Sequence, residues 1–198
     1  MKAAATKDLF GYWNRLRGER AAPERADVDP AAIRSALGDT FILEADQDSG
    51  YPFRLSGSRI CSITGHEMKG ESFLSLWSGP DRATVLGALG TVSDDAAVAV
   101  IGAQGSTDLG RKLDLEIGLL PLRHRGRTHA RLLGSLAPVE TPYWLGACLV
   151  TRFELTSLRM IWPSGRRRPM ESPMAPAAST IAAVGRKIGR FMVFDGGR

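Results

Sequence analysis

The side chains able to carry chemistry are few and scattered along the 198 residues. His66, His124 and His129 come first, because imidazole titrates near neutral pH and ligates metals. None of the three has a second histidine at metal-ligand spacing. His124 and His129 flank Arg125-Gly126-Arg127, a composition that a solvated turn explains. Cys61 and Cys148 stand in no metal or redox spacing and read as reduced thiols, Cys61 as a small buried side chain. Asp114 and Glu116, two apart on a strand, share one face, as a salt-bridged or solvated sheet surface requires. Arg54 and Arg59 flank Leu55 and Gly57 and could pin an anionic ligand, although strand-edge arginines need none. There is no glycine-rich phosphate loop and no nucleophile elbow. No catalytic set and no metal set emerges, so the chain is expected not to be an enzyme, and no cofactor is named.

The elements that must position these residues change period along the chain. Thr6 to Arg17 reads as an amphipathic helix with Leu9, Phe10, Trp13 and Leu16 as its apolar stripe. Asp29-Pro30 opens a second, short helix through Leu37. Thr40 to Ala45 and Tyr51 to Ser56 alternate as strands, joined by Asp46-Gln47-Asp48-Ser49-Gly50 as a hairpin turn. Gly57, Gly65 and Gly70 cut the next stretch into short helical pieces, and Pro80 to about Ala97 supports a longer helix. Val98 to Ala103, Lys112 to Leu122 and Thr128 to Val139 follow as three strands, with Thr151 to Trp162 as one more strand or an edge segment. The expected fold is α+β: a five-stranded antiparallel sheet, short helices inserted between strands 2 and 3, helices flanking its start, and a flexible C-terminal tail.

Words of the sequence agree with that order. Pro52-Phe53-Arg54-Leu55-Ser56-Gly57-Ser58-Arg59-Ile60, Thr64-Gly65-His66-Glu67-Met68-Lys69-Gly70 and Phe73-Leu74-Ser75-Leu76-Trp77 follow one another at short intervals. Together they resemble a PAS-type family of small, mostly stand-alone alphaproteobacterial proteins. The similarity runs from about Leu9 to Trp162, and Arg190 to Arg198 looks like the family's tail. The asparagine common in better-known PAS domains at the start of the first short helix is not seen near Ser58 and Arg59. The resemblance implies a sensor domain with a pocket between short helices and sheet. Candidates for its lining are Arg54, Leu55, Arg59, Ile63, His66, Phe73 and Trp77. It would put His66 on the pocket wall, within reach of a haem or an acid. Cys61 would fall near the flavin-reactive cysteine of light sensors, without their flavin-facing motif.

Composition bounds the rest. Hydrophobic residues make up 43% of the chain and charged residues 24%, as in ordinary soluble domains. The net charge of +5 is uneven: residues 159–198 hold eight basic and two acidic side chains, leaving the body near neutral. The expected division is 1–29 for the flanking helix and connector, 30–162 for the PAS-like domain, and 163–198 for a basic, Pro/Ala-rich tail. No stretch is long and apolar enough to span a membrane, and no secretion signal is apparent, so a cytoplasmic location is expected. Three functions compete. The first is a non-catalytic sensor or adaptor of signal transduction or cell-cycle control, binding a small molecule, a regulatory protein or a second copy of itself. The second is binding of nucleic acid or an anionic surface through Arg166-Arg167-Arg168, which lack interleaved aromatics. The third is a small cavity enzyme. A helix as short as Thr6 to Arg17 is marginal in water unless its apolar stripe of Leu9, Phe10, Trp13 and Leu16 is covered. The cover is the sheet's own outer face, a second copy or a partner, and the resemblance favours the second copy.

Overall fold

The protein is described by a computed structural model covering residues 1–124, 127–163, 185–188 and 191–194, the last two segments and 127–129 as backbone. The chain opens with helix α1 (Ala4–Arg17) and then makes three short 3-10 turns at Arg25–Asp27, Pro30–Ile33 and Leu37–Asp39. Strands β1 (Thr40–Glu44) and β2 (Phe53–Ser56) follow, then helix α2 (Ser58–Thr64), a 3-10 turn at Phe73–Leu76 and helix α3 (Gly79–Asp95). The chain then runs through β3 (Val98–Thr107), β4 (Lys112–His124), β5 (Arg127–Pro138) and β6 (Val150–Ile161). One antiparallel sheet takes all six in the order β2-β1-β5-β4-β3-β6. The five expected strands are therefore present with the short helices between the second and third, and β6 extends the sheet beside β3. In the C-terminal segment, β7 (Gly185–Ile188) pairs antiparallel with β8 (Phe191–Phe194). The Pro/Ala-rich linker and Arg166 to Arg168 lie outside the described residues. Among the described residues no helix is long and apolar enough to cross a membrane.

The central strands bury both of their faces. On β1, Phe41 and Leu43 point to one side and Ile42 to the other; on β5, Leu132 and Leu136 oppose Leu133. The inner face is closed by Ile60 and Ile63 of α2 and Val85, Leu89 and Val92 of α3. Gly134 makes room on that side, because a Cβ there would run into the ring of Phe41. Gly57 serves a different close approach: its φ is an ordinary −74°, but a Cβ would strike the carbonyls of Leu37 and Gly38. Along β6, Phe153 and Leu155 face inward, and so do Leu158 and Met160. A bulge opposite Gly102/Ala103 shifts the register between the two pairs and keeps both on the core side.

The outer face is closed by α1. Leu9 and Trp13 are fully buried there with Ala22, Val28 and Ile33 against Ile42, Val98, Leu120, Leu122 and Leu133. Trp13 Nε1 donates to the Pro121 carbonyl at 2.8 Å, and Phe10 stacks on its ring at 6.2 Å. The stripe of Leu9 and Trp13 is thus covered by the chain's own sheet rather than by a second copy, and only Phe10 and Leu16 stay half-buried. Of the two expectations for Asp114 and Glu116, Glu116 meets the salt-bridged one, 4.0 Å from the Met1 ammonium, rather than the solvated one. It is buried and accepts the backbone N–H groups of Lys2, at 2.7 Å, and Ala3, at 3.0 Å, which fixes the start of α1.

The short helix expected over residues 30–37 forms as two separate 3-10 turns. Asp29 Oδ1 accepts from Ala31 N–H at 2.9 Å, as an N-cap before proline should. Ile33 and Ala36, however, are drawn into different apolar clusters, and so short a helix has little cooperativity to resist. Tyr51 also departs from its expected strand: it takes a φ of 59° in the turn and buries its ring. Replacing Trp13 with Ala is expected to lower unfolding free energy by about 3–5 kcal/mol, the range for a fully buried aromatic. Chemical denaturation followed by circular dichroism measures the loss; a change under about 1 kcal/mol would mean that α1 does not close this face.

Candidate functional site

The seven candidate pocket residues do not converge. Arg54 and Leu55 lie on β2 facing solvent, with Arg54 paired to Glu44 at 3.5 Å. His66, just past α2, is exposed and pairs with Glu71 at 3.0 Å, while its Nδ1 lies 3.1 Å from the Thr64 carbonyl. Phe73 and Trp77 go the other way, into the core. Arg59 and Ile63 alone meet at one opening, on the same side of α2.

The space between the short helices and the sheet is filled by rings. Phe73 packs 5.7 Å from Phe41 and 5.8 Å from Phe53, and Trp77 lies 6.2 Å from Phe73. Trp77 in turn meets Phe153 of β6 edge-on at 5.7 Å. The expected pocket position is therefore occupied by the protein's own side chains, and the Phe73–Trp77 cluster reads as core. Trp77 Nε1 is buried there without a hydrogen-bond partner among the described residues.

An open cleft of about 330 Å3 lies outside that core. Four parts of the chain wall it: Ala4 and Ala5 of α1, Arg59, Ser62 and Ile63 of α2, the end of β5 at Ala137 and Pro138, and the β5–β6 connection at Thr141, Leu145 and Gly146. Asp39, just before β1, completes it. The volume falls within the usual range for small-molecule sites, and most of the wall is aliphatic. Asp39 is buried and holds Arg59, which donates from Nε to Oδ1 at 2.7 Å and from Nη2 to Oδ2. The hydrogen bond to Asp39 raises the pKa of the Arg59 guanidinium, with desolvation acting the other way. The side chain itself is about half exposed at the rim of the cleft. A second cleft, of about 380 Å3, is polar and lies between β3–β4 and residues 139–142, with Gln104, Lys112, Asp114 and Glu140 on its walls.

The nucleophile and metal candidates meet no matching set. Cys61 is half-buried rather than packed as an apolar side chain; its Sγ lies 3.3 Å from Ser56 Oγ and 3.8 Å from Glu67 Oε2. Glu67 itself is held below the usual carboxylate range, chiefly by the hydroxyl of Ser56, which donates at 2.7 Å. Among the described residues no group of three or more His, Cys, Asp and Glu could hold a metal ion. His124 is half-exposed at the end of β4, and the side chain of His129 lies outside the described residues.

Residues 1–137 match the profile of the PAS domain. The chain belongs to the PAS domain family. No curated protein matches it. Solved structures that resemble it include an RNA-binding light-oxygen-voltage receptor, at 16% identity over 56% of this chain and 33% of that one, TM-score 0.42. The chain thus spans about a third of that receptor's length. A light-oxygen-voltage protein of Rhodobacter sphaeroides matches at 14% identity over 59% of this chain and 71% of its own, TM-score 0.43. The PAS domain of an HTR-like protein from Haloarcula marismortui matches at 19% identity over 55% and 90%, TM-score 0.40.

In this PAS domain, the sequence pointed to two residues of the cleft, Arg59 and Ile63. Asp39, Ser62, Ala137, Pro138 and Leu145 were missed, and no local signal marks them, since they come together only through the sheet register. His66 supplies a testable electrostatic consequence. The hydrogen bond to Glu71 raises its pKa above the ordinary 6.5, so the pair stabilises the fold fully below that pH and loses its effect as pH rises through the raised value. Because both groups are exposed, the contribution should stay below about 1 kcal/mol. An NMR titration of the His66 ring should show the raised value, and Glu71→Gln should return it toward the ordinary one. An unchanged pKa in that variant would remove Glu71 as the cause.

Proposed function

We infer that this PAS domain is a non-catalytic sensory or adaptor module of signal transduction or cell-cycle regulation, working in the cytoplasm. It binds a small molecule and passes the change to a regulatory protein or a second copy of the chain. The observation that carries this reading is the composition of the 330 Å3 cleft: its walls join the flanking helix α1 to α2 and the end of β5. A ligand held there touches the helix that covers the sheet's outer face and the helix that covers its inner face. Occupancy therefore alters how firmly α1 is seated, and with it the surface around the half-buried Phe10 and Leu16 that a partner would meet. The packed rings of Phe41, Phe53, Phe73 and Trp77 support placing the ligand in this cleft rather than in the interior.

Native mass spectrometry of the full chain mixed with a small-metabolite extract tests this reading. The expected result is a discrete mass adduct that disappears in Ser62→Trp, a variant that fills the cleft from its exposed rim. An adduct retained by that variant, or no adduct on the wild type, would overturn it.

A further inference from the structure

The charged side chains of the 330 Å3 cleft are Asp39 and Arg59, with the hydroxyls of Ser62 and Thr141 beside them. Its carboxylate, Asp39, has both oxygens engaged by Arg59. The fork from Arg59 to Asp39, with a further bond from Nη2 to the Ser35 carbonyl at 2.9 Å, leaves Nη1 without a hydrogen-bond partner among the described residues. The guanidinium is thereby held in one orientation with two N–H donors to spare. On the facing wall, the ladder of α1 opens with Lys7 N–H bonded to the Ala3 carbonyl at 3.2 Å. The N–H groups of Ala4 and Ala5 therefore have no acceptor within the helix, and no side chain caps them. The remaining wall is mainly the aliphatic surface of Ile63, Ala137, Pro138 and Leu145.

A ligand that satisfies this cleft brings acceptors to one end and apolar surface to the other. We propose that the cleft binds a small carboxylate with an apolar body, its charge on Arg59 Nη1 and its body against Ile63, Pro138 and Leu145. The assignment rests on reading the cleft as the sensing site and adds the chemical class of the molecule sensed. A bare phosphate matches less of the wall, because it offers nothing to the aliphatic side. An amide of the same shape matches the wall but forfeits the charge-assisted bond, which is the stronger kind.

The test is an NMR titration of the 15N-labelled full chain with benzoate, benzamide and inorganic phosphate at one ionic strength and neutral pH. Benzoate should move the amides of Ala5, Ser62, Ala137 and Gly146 saturably. It should bind at least about tenfold more tightly than benzamide or phosphate. Ser62→Trp should abolish the shifts at an unchanged melting temperature, and Arg59→Gln should reduce benzoate to the affinity of benzamide. Absence of saturable shifts, shifts centred elsewhere, equal binding of benzamide or of phosphate, or benzoate binding retained in Ser62→Trp would each overturn the assignment. If Arg59→Gln fails to fold because Asp39 is left buried and unpaired, the Ser62→Trp result still decides. Failure with benzoate alongside a Ser62-sensitive metabolite adduct overturns the carboxylate class alone; loss of both removes the sensing reading as well.

Discussion

Ile42, Leu120, Leu122 and Leu133 face one side of the sheet, and Phe41, Leu43, Leu119 and Leu132 face the other, so the sheet's central strands β1, β4 and β5 are apolar on both sides. Neither face can be left to water, because each exposed side chain of that size forgoes roughly 1.5–3 kcal/mol of burial. The inner face is served by the helices threaded between β2 and β3. The outer face has α1 and the short turns after it, and this is the constraint on which the remainder rests. It explains why a helix of 14 residues carries a fully buried tryptophan hydrogen-bonded to a strand carbonyl. It also explains why a buried carboxylate on β4, Glu116, holds the backbone just ahead of that helix.

Covering two faces with two layers creates a seam. The first turn of α1 belongs to the outer layer and Ile63 of α2 to the inner one, yet both line the same cleft. The seam is closed elsewhere by tight backbone approach, with Gly57 against Leu37 and Gly38, and at the cleft wall the Asp39–Arg59 pair ties the entry of β1 to α2. At the cleft the seam stays open. In the interior the rings from Phe41 to Phe153 are spaced at ordinary stacking and edge-on distances.

How much of this was legible varies by residue. The β1–β2 hairpin could be read because Phe41 and Leu43, then Phe53 and Leu55, alternate around a run of turn residues, although the exposed Leu55 shows that alternation does not assign the buried side. Gly57, Gly65 and Gly70 were read as breaks between short helical pieces; Gly65 and Gly70 carry a φ of 88°, whereas Gly57 keeps an ordinary −74°. The stripe of Leu9 and Trp13 was visible, but an apolar face does not reveal what covers it. Glu116 could not be read as a buried anchor, because its partners are backbone N–H groups more than a hundred residues away. The cleft was illegible for the same reason. Its walls come from residues 4–5, 39, 59–63 and 137–146, and only the pairing of β1 with β5 and the placement of α1 bring these together.

The central claim, that α1 closes the sheet of its own chain, is tested most directly by isotope-filtered nuclear Overhauser spectroscopy. The sample is an equimolar mixture of 13C,15N-labelled and unlabelled protein. In uniformly labelled protein the Trp13 indole should show contacts to the methyl groups of Leu120, Leu122 and Leu133, and the filtered spectrum of the mixture should show none. Filtered contacts between Trp13 of one molecule and those methyls of another would mean that the helix is exchanged between copies, and would contradict the account.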